Sequence, residues 1–193
     1  MIVITSGHWN PLHRGHLEYL NKSWEYCNQQ QLTNSYRLTM IVVVNNDAQV
    51  KLKGSIPFLN EDVRYDIISN LWMVDQAIIA RDVDSSVANT LKWIAKEYKG
   101  EDMFFVNSGD RKSANPKEHE VCEKYGIEEV FLDLPKINSS SEILDAVGKE
   151  WYARYEDYQA DLMITKSRHS KQQMFNFITG QYRKPRIVDN PYE

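Results

Sequence analysis

A chain of 193 residues with 42% hydrophobic and 26% charged side chains holds enough apolar material for one substantial core and too little for two. Two distant cysteines, Cys27 and Cys122, make neither a disulfide framework nor a zinc spacing, which points to a reducing cytoplasm. No basic stretch leads into an apolar signal core, and no run approaches the roughly 18 apolar residues of a membrane span, so secretion and insertion are not expected. The net charge of −4 is unevenly spread: from Lys166 onward six Lys or Arg stand against Asp189 and Glu193, leaving about +4 on the tail and about −8 on the rest. Such a tail either reaches an acidic or phosphorylated partner or is simply solvated.

The first apolar run, "MIVIT" (1–5), reads as a strand buried on both faces and gives way to "SGHWNPLHRGHLEYL" (6–20). Gly7 allows a close backbone approach, and Pro11 restricts Asn10 to an extended conformation. A helix starting near Arg14 or Gly15, with Leu17, Leu20 and Trp24 on one face, leaves amide N–H groups at its start, beside which His13 and His16 point into one cleft. Two imidazoles facing one phosphate suit the charge that develops in an in-line displacement at phosphorus. The alternative is a local pair of capping or packing histidines. Zinc is disfavoured, because His8, His119 and His169 are the remaining histidines and no cysteine lies nearby.

"LTMIVVV" (38–44) reads as a second strand, followed by the segment 43–68 with Lys53 in a loop and Arg64 on the first turns of a helix. Lys53 is a mobile point charge suited to triphosphate oxygens; Arg64 either holds a phosphate or braces the loop by pairing with a carboxylate. Val63, Ile67 and Leu71 give that helix its period. "QAIIA" (76–80) is a third strand, Val87, Leu91 and Ile94 mark a further helix, and "MFFV" (103–106) is a fourth strand ending in "FVNSGD". Val121, Cys122 and Tyr125 mark the next helix, and "EVFLDL" (129–134) the fifth strand. "KINSSSEIL" (136–144) then places a serine run ahead of a helical period: an N-cap, or a phosphate site made of amides and hydroxyls.

Strict alternation of strand and helix implies right-handed crossovers and a doubly wound five-stranded parallel sheet with helices on both faces. In such sheets ligands bind beyond the carboxyl ends of the strands, and each motif above follows a strand.

"GHWNPLHRGH" resembles the G-x-F-D-x-x-H-x-G-H signature of the nucleotidyltransferase superfamily that includes the cytidylyltransferases. Gly7, Trp9, His13, Gly15 and His16 match, while Asn10 stands where most members carry Asp. The segment 43–68 resembles the corresponding stretch of the nucleotidyltransferase domain of ADP-heptose synthase and of glycerol-3-phosphate cytidylyltransferase, through "NDA" (46–48), "LKG" (52–54) and "NEDVR" (60–64). Many relatives place Arg-Pro after that loop, where Pro57 and Phe58 stand here. "FVNSGD" is similar to the family's strand-end G-G-D through Gly109 and Asp110, and "KINSSSEIL" to its I-S-S/T-T-x-I segment through Ser139, Ser140, Ser141 and Ile143. An Arg that precedes this segment in cytidylyltransferases falls on Leu134, leaving Lys136 as the nearest cation.

The resemblance covers residues 1–147 and implies a Rossmann-like fold of the HxGH nucleotidyltransferase type. It implies transfer of a nucleoside monophosphate from CTP or ATP to a sugar phosphate or polyol phosphate, with release of pyrophosphate. His13, His16 and Lys53 would be catalytic; Ser6, Gly7, His8, Trp9, Asn10, Gly15, Gly109, Asp110 and the three serines would bind nucleotide; Arg64 and Asp47 would face the acceptor. Mg²⁺ would be bound through the triphosphate rather than by a protein metal site. An adenylyltransferase acting on a cofactor precursor of the nicotinamide mononucleotide or phosphopantetheine type is the nearest alternative, and a non-catalytic nucleotide-binding module the next. Class I aminoacyl-tRNA synthetases share the H-x-G-H turn, but this chain lacks their second lysine signature and the length for a tRNA-binding domain, so nucleic acid is not an expected partner.

The remaining segment, 148–193, is expected to be a helical extension and basic tail. Leu144, Val147, Trp151, Tyr155, Tyr158 and Leu162 form one apolar and aromatic stripe, which packs on its own domain or pairs with a second copy. Relatives are often dimers, so a homodimer is expected. Phe175, Phe177 and Tyr182 accompany the basic residues of the tail.

Overall fold

The computed structural model of the protein describes residues 1–30, 38–108, 115–135, 137 and 139–155. Five parallel strands, β1 (Ile2–Gly7), β2 (Thr39–Val44), β3 (Gln76–Ile79), β4 (Met103–Ser108) and β5 (Ile127–Leu132), form one sheet in the order β3-β2-β1-β4-β5. Helices α1 (Arg14–Gln30), α2 (Asp47–Leu52), α3 (Glu61–Ser69), α4 (Ala88–Glu97) and α5 (Pro116–Tyr125) lie between them, and residues 140–155 are helical. One compact unit is Met1–Ile143, and a second begins at Leu144.

Alternation along the central strands divides the core in two. Ile2, Ile4, Ile41, Val43, Ile78 and Phe105 pack on one face with Leu91 and Ile94 of α4 and Cys122 of α5. Val3, Met40, Val42, Val44 and Val106 point the other way, onto Leu20 and Cys27 of α1 and Ile68 of α3. Successive strand residues alternate faces, and here both faces are covered, which is why the runs read as continuously apolar. The doubly wound five-stranded sheet inferred from alternation is the one observed.

Two details differ from expectation. The stretch before Lys53, for which the sequence pattern predicts no helix, contains the short helix α2, started by a capping box: Asn46 Oδ1 accepts from Gln49 N at 2.9 Å, and Gln49 Oε1 accepts from Asn46 N at 3.1 Å. The fifth strand begins at Ile127, not Glu129, because it pairs with β4 from Met103↔Ile127 onward. As an edge strand it buries only part of its length, with Glu128 and Phe131 exposed.

The buried carboxylates have structural partners. Asp82 accepts from Asn89 N, Thr90 N and Thr90 Oγ1, and Glu118 of α5 accepts from Val87 N at 2.9 Å. Together they satisfy the start of α4, whose N-cap Val87 has no side chain to do so. Among the described residues no helix is long and apolar enough to cross a membrane.

Candidate functional site

The chain crosses from β3 at one edge to β4 on the other side of β1, so the winding reverses between β1 and β4. In such sheets ligands bind outside the carboxyl ends of the strands at that reversal, which is where Ser6, Gly7 and the turn to α1 lie.

The turn is built around Trp9. Its indole is buried, 1% exposed, and Nε1 donates to Val43 O at 3.1 Å. The ring packs parallel to Tyr19 at 6.0 Å and edge-on to His16 at 5.0 Å. The indole lies over Gly7, where a Cβ would stand 2.8 Å from Cε2 and Cζ2. Gly7 is therefore needed to admit Trp9, a reason different from the ligand approach expected of it. Trp9 itself adopts φ 50°, costly for a bulky side chain, and the Asn10–Pro11 bond is cis.

α1 begins at Arg14, and His13 O accepts from His16 N and Leu17 N at its start. This single turn stacks the His13 and His16 imidazoles, with centroids 3.7 Å apart and planes 20° from parallel. Burial, then the neighbouring His13, Lys53 and His8, push the His16 pKa down to about 3. His16 is thus a neutral imidazole at physiological pH, with one ring nitrogen to donate a hydrogen bond and the other to accept one. Among the described residues nothing bonds its Nδ1, which is buried. Lys53, the C-cap of α2, is exposed but close enough for its charge to act on His16.

The serine segment reaches the same turn. Ser139 Oγ accepts from Glu142 N at 3.2 Å and Glu142 accepts from Ser139 N at 2.9 Å, a capping box at the start of the helical residues 140–155. Ser140 Oγ donates to Pro11 O at 3.2 Å, tying this cap to the histidine turn. Ser141 is exposed. Gly109 and Asp110 lie outside the described residues, as do Lys136 and the basic tail.

Of the two roles weighed for Arg64, the geometry is that of the brace. The side chain is 1% exposed; Nε donates to Leu59 O at 3.0 Å, Nη1 to His8 O at 2.7 Å and Asn45 O at 2.6 Å, and Nη2 to Asp47 Oδ1 at 2.6 Å. With its fork consumed by backbone and by Asp47, the guanidinium is not offered to an acceptor; it joins the ends of β1 and β2 to the loop before α3. Asp47 Oδ1 is likewise engaged, although its side chain is 28% exposed. Sequence reasoning passed over Asn45, Asn46 and Gln49. Asn46 Nδ2 donates to Ala80 O and Asp82 O, and Gln49 Nε2 to Asp84 O and Ser86 O, which ties α2 to the loop after β3. The capping-box spacing Asn46–Gln49 was the available signal. Among the described residues no three His, Cys, Asp or Glu side chains gather into a metal site.

A family model described as cytidylyltransferase-like matches residues 4–146. The chain is similar to the FAD synthase of Thermoplasma volcanium, 32% identical over 82 residues, which are 42% of this chain and 51% of that protein. It is also similar to the FAD synthase of Methanobrevibacter ruminantium, 34% identical over 84 residues, or 44% and 51% of the two chains. The bifunctional protein HldE of Geobacter metallireducens is 28% identical over 149 residues, 76% of this chain and 26% of that one. The chain thus spans about half the length of the FAD synthases it matches. Among solved structures, the lipopolysaccharide core biosynthesis protein of Thermoplasma volcanium superposes with a TM-score of 0.52 at 25% identity, over 72% of this chain and 98% of that one.

Proposed function

The chain belongs to the cytidylyltransferase-like family, and on that premise we propose that it transfers a nucleoside monophosphate from CTP or ATP to a small phosphorylated acceptor, releasing pyrophosphate. An acceptor oxygen attacks the α-phosphorus, the bond to the bridging oxygen breaks, and pyrophosphate leaves with that electron pair. The observation carrying this reading is the stacked His13–His16 pair, within reach of the charge of Lys53, at the switch point of the sheet. Neutral His16 with His13 would donate to the α-phosphate oxygens as charge accumulates there, while Lys53 and the start of the helix at Ser139–Ser141 hold the outer phosphates. By the resemblance, Ser6, Gly7, His8, Gly15, Gly109 and Asp110 would bind the nucleotide.

Mg²⁺ would travel with the nucleotide, neutralising triphosphate oxygens. A cytoplasmic homodimer paired through the aromatic stripe belongs to the same reading.

The acceptor is a sugar or polyol phosphate in the reading favoured by the likeness to HldE. A second reading, adenylyl transfer to a cofactor precursor, is favoured by the two FAD synthases, since FAD joins an adenylyl group to a flavin phosphate through a pyrophosphate link.

The test is calorimetric binding of CTP, ATP, GTP and UTP with Mg²⁺, followed by pyrophosphate release with sugar phosphates, polyol phosphates, nicotinamide mononucleotide, phosphopantetheine and flavin mononucleotide. One nucleotide binding selectively and one acceptor class releasing pyrophosphate is the expected result. Binding without release from any acceptor class would replace the transferase with a nucleotide-binding module.

A further inference from the structure

The side chain of Asn10, assigned by resemblance to the nucleotide, is occupied elsewhere. It is 2% exposed, and its amide is shared among three backbone groups of a distant loop: Nδ2 donates to Ile56 O at 2.7 Å, and Oδ1 accepts from Phe58 N at 2.7 Å and Leu59 N at 3.3 Å. Leu59 is gripped a second time, because its carbonyl accepts from Arg64 Nε, while the same guanidinium reaches His8 O. The loop between α2 and α3 is therefore tied by two side chains to the turn that carries the histidines. Ile56 is 79% exposed and Phe58 56%, so the loop's large apolar side chains contribute little burial to hold it down. Upstream, Ser55 N donates to Val50 O and Lys53 N to Gln49 O, which leaves Lys53 between the last turn of α2 and the Asn10 clamp.

We propose that Asn10 is a positioning residue: by clamping Ile56, Phe58 and Leu59 it fixes the loop that carries Lys53 against the His13–His16 turn. The assignment to Lys53 rests on the nucleotidyl-transfer reading; the clamp does not. An amide is the side chain the loop calls for, since the loop offers one carbonyl and two N–H groups. A carboxylate could accept from both N–H groups but would face Ile56 O as a second acceptor in a buried site, and a methyl group would leave all three unbonded.

The experiment combines hydrogen exchange with a mutant cycle. In nucleotide-free Asn10→Ala, exchange of the Phe58 and Leu59 amides should accelerate at least about tenfold. Turnover should fall at least about tenfold through kcat, and combining Asn10→Ala with Lys53→Ala should cost less than about twofold beyond Lys53→Ala alone, because both substitutions remove one function. Should Asn10→Ala not fold, Asn10→Asp carries the same cycle, again with a loss in kcat that disappears in the Lys53→Ala background. Unchanged exchange beside normal parent turnover overturns the clamp. Additive losses overturn the link to Lys53. Faster exchange in a protein whose parent turns over no acceptor overturns the transferase reading and the assignment to Lys53, and leaves the clamp supported.

Discussion

Trp9 closes over Gly7 so tightly that a single methyl group at Gly7 would stand 2.8 Å from two carbons of the indole. Neither side can yield cheaply, because the indole is buried, bonded to Val43 O and in ring contact with His16 and Tyr19. Gly7→Ala should destabilise the protein by about 1–3 kcal/mol, the usual cost of forcing one more group into a packed site. A thermal melt should show a fall of several degrees, and the displaced indole should lower turnover by disturbing His16. An unchanged melting temperature would mean that Trp9 moves freely.

His16→Ala should lower kcat by about 100-fold while changing nucleotide affinity much less, as for loss of a donor aimed at developing charge. Steady-state kinetics beside calorimetry separates the two. Turnover within about threefold of the parent, roughly 0.6 kcal/mol, would remove His16 from the reaction.

The depressed pKa of His16 also gives a pH-dependent stability. In the folded chain the imidazole takes a proton only near pH 3, whereas in the unfolded chain it does so near its ordinary 6.5. Between those values the unfolded state binds more protons, so the contribution is fully present above 6.5 and is lost as pH falls toward 3. Denaturant midpoints of the parent and His16→Gln, measured from pH 7 to 5, should converge as the pH drops. Parallel curves would contradict the assignment.

Arg64→Lys should be far from conservative. One ammonium cannot reproduce the fork that reaches Leu59, His8, Asn45 and Asp47, and the substitution leaves buried carbonyls and a carboxylate partly unpaired. Leaving buried carbonyls without a donor costs about 1–3 kcal/mol each. Urea unfolding checks it; a loss below about 1 kcal/mol would show that the brace is dispensable.

Burial pushes the thiols of Cys27 and Cys122 up to about 12. At pH 8 only about one in 10⁴ of each is thiolate, so iodoacetamide should leave the folded protein unmodified and label both cysteines once denatured. Mass spectrometry of the native protein reads this directly.

Sequence pattern carried the sheet well because β1 and β2, covered on both faces, are unbroken apolar runs. It misplaced β5, whose edge position lets Glu128 and Phe131 face solvent, and it missed α2, whose six residues are too few to show a helical period. The proximity of His13 and His16 was legible, since three residues span less than a helical turn. Bracing by Arg64 was one of two readings the sequence left open; the clamp made by Asn10 was not legible, because its partners are backbone groups of Ile56, Phe58 and Leu59, far along the chain, and backbone atoms leave no trace in the identity of a residue. Trp9 over Gly7 is a similar case: the motif shows both residues, but only the turn's geometry shows that one is the condition for the other.

The uncharged state of His16 couples two equilibria. A polyanion arriving beside that imidazole raises its proton affinity, so nucleotide binding in mildly acidic solution would draw a proton from the medium. The heat of binding would then vary with the ionisation enthalpy of the buffer, and affinity would rise as the solution is acidified. In acidic solution a site that holds its imidazole neutral when empty would thus gain positive charge together with its polyanionic ligand.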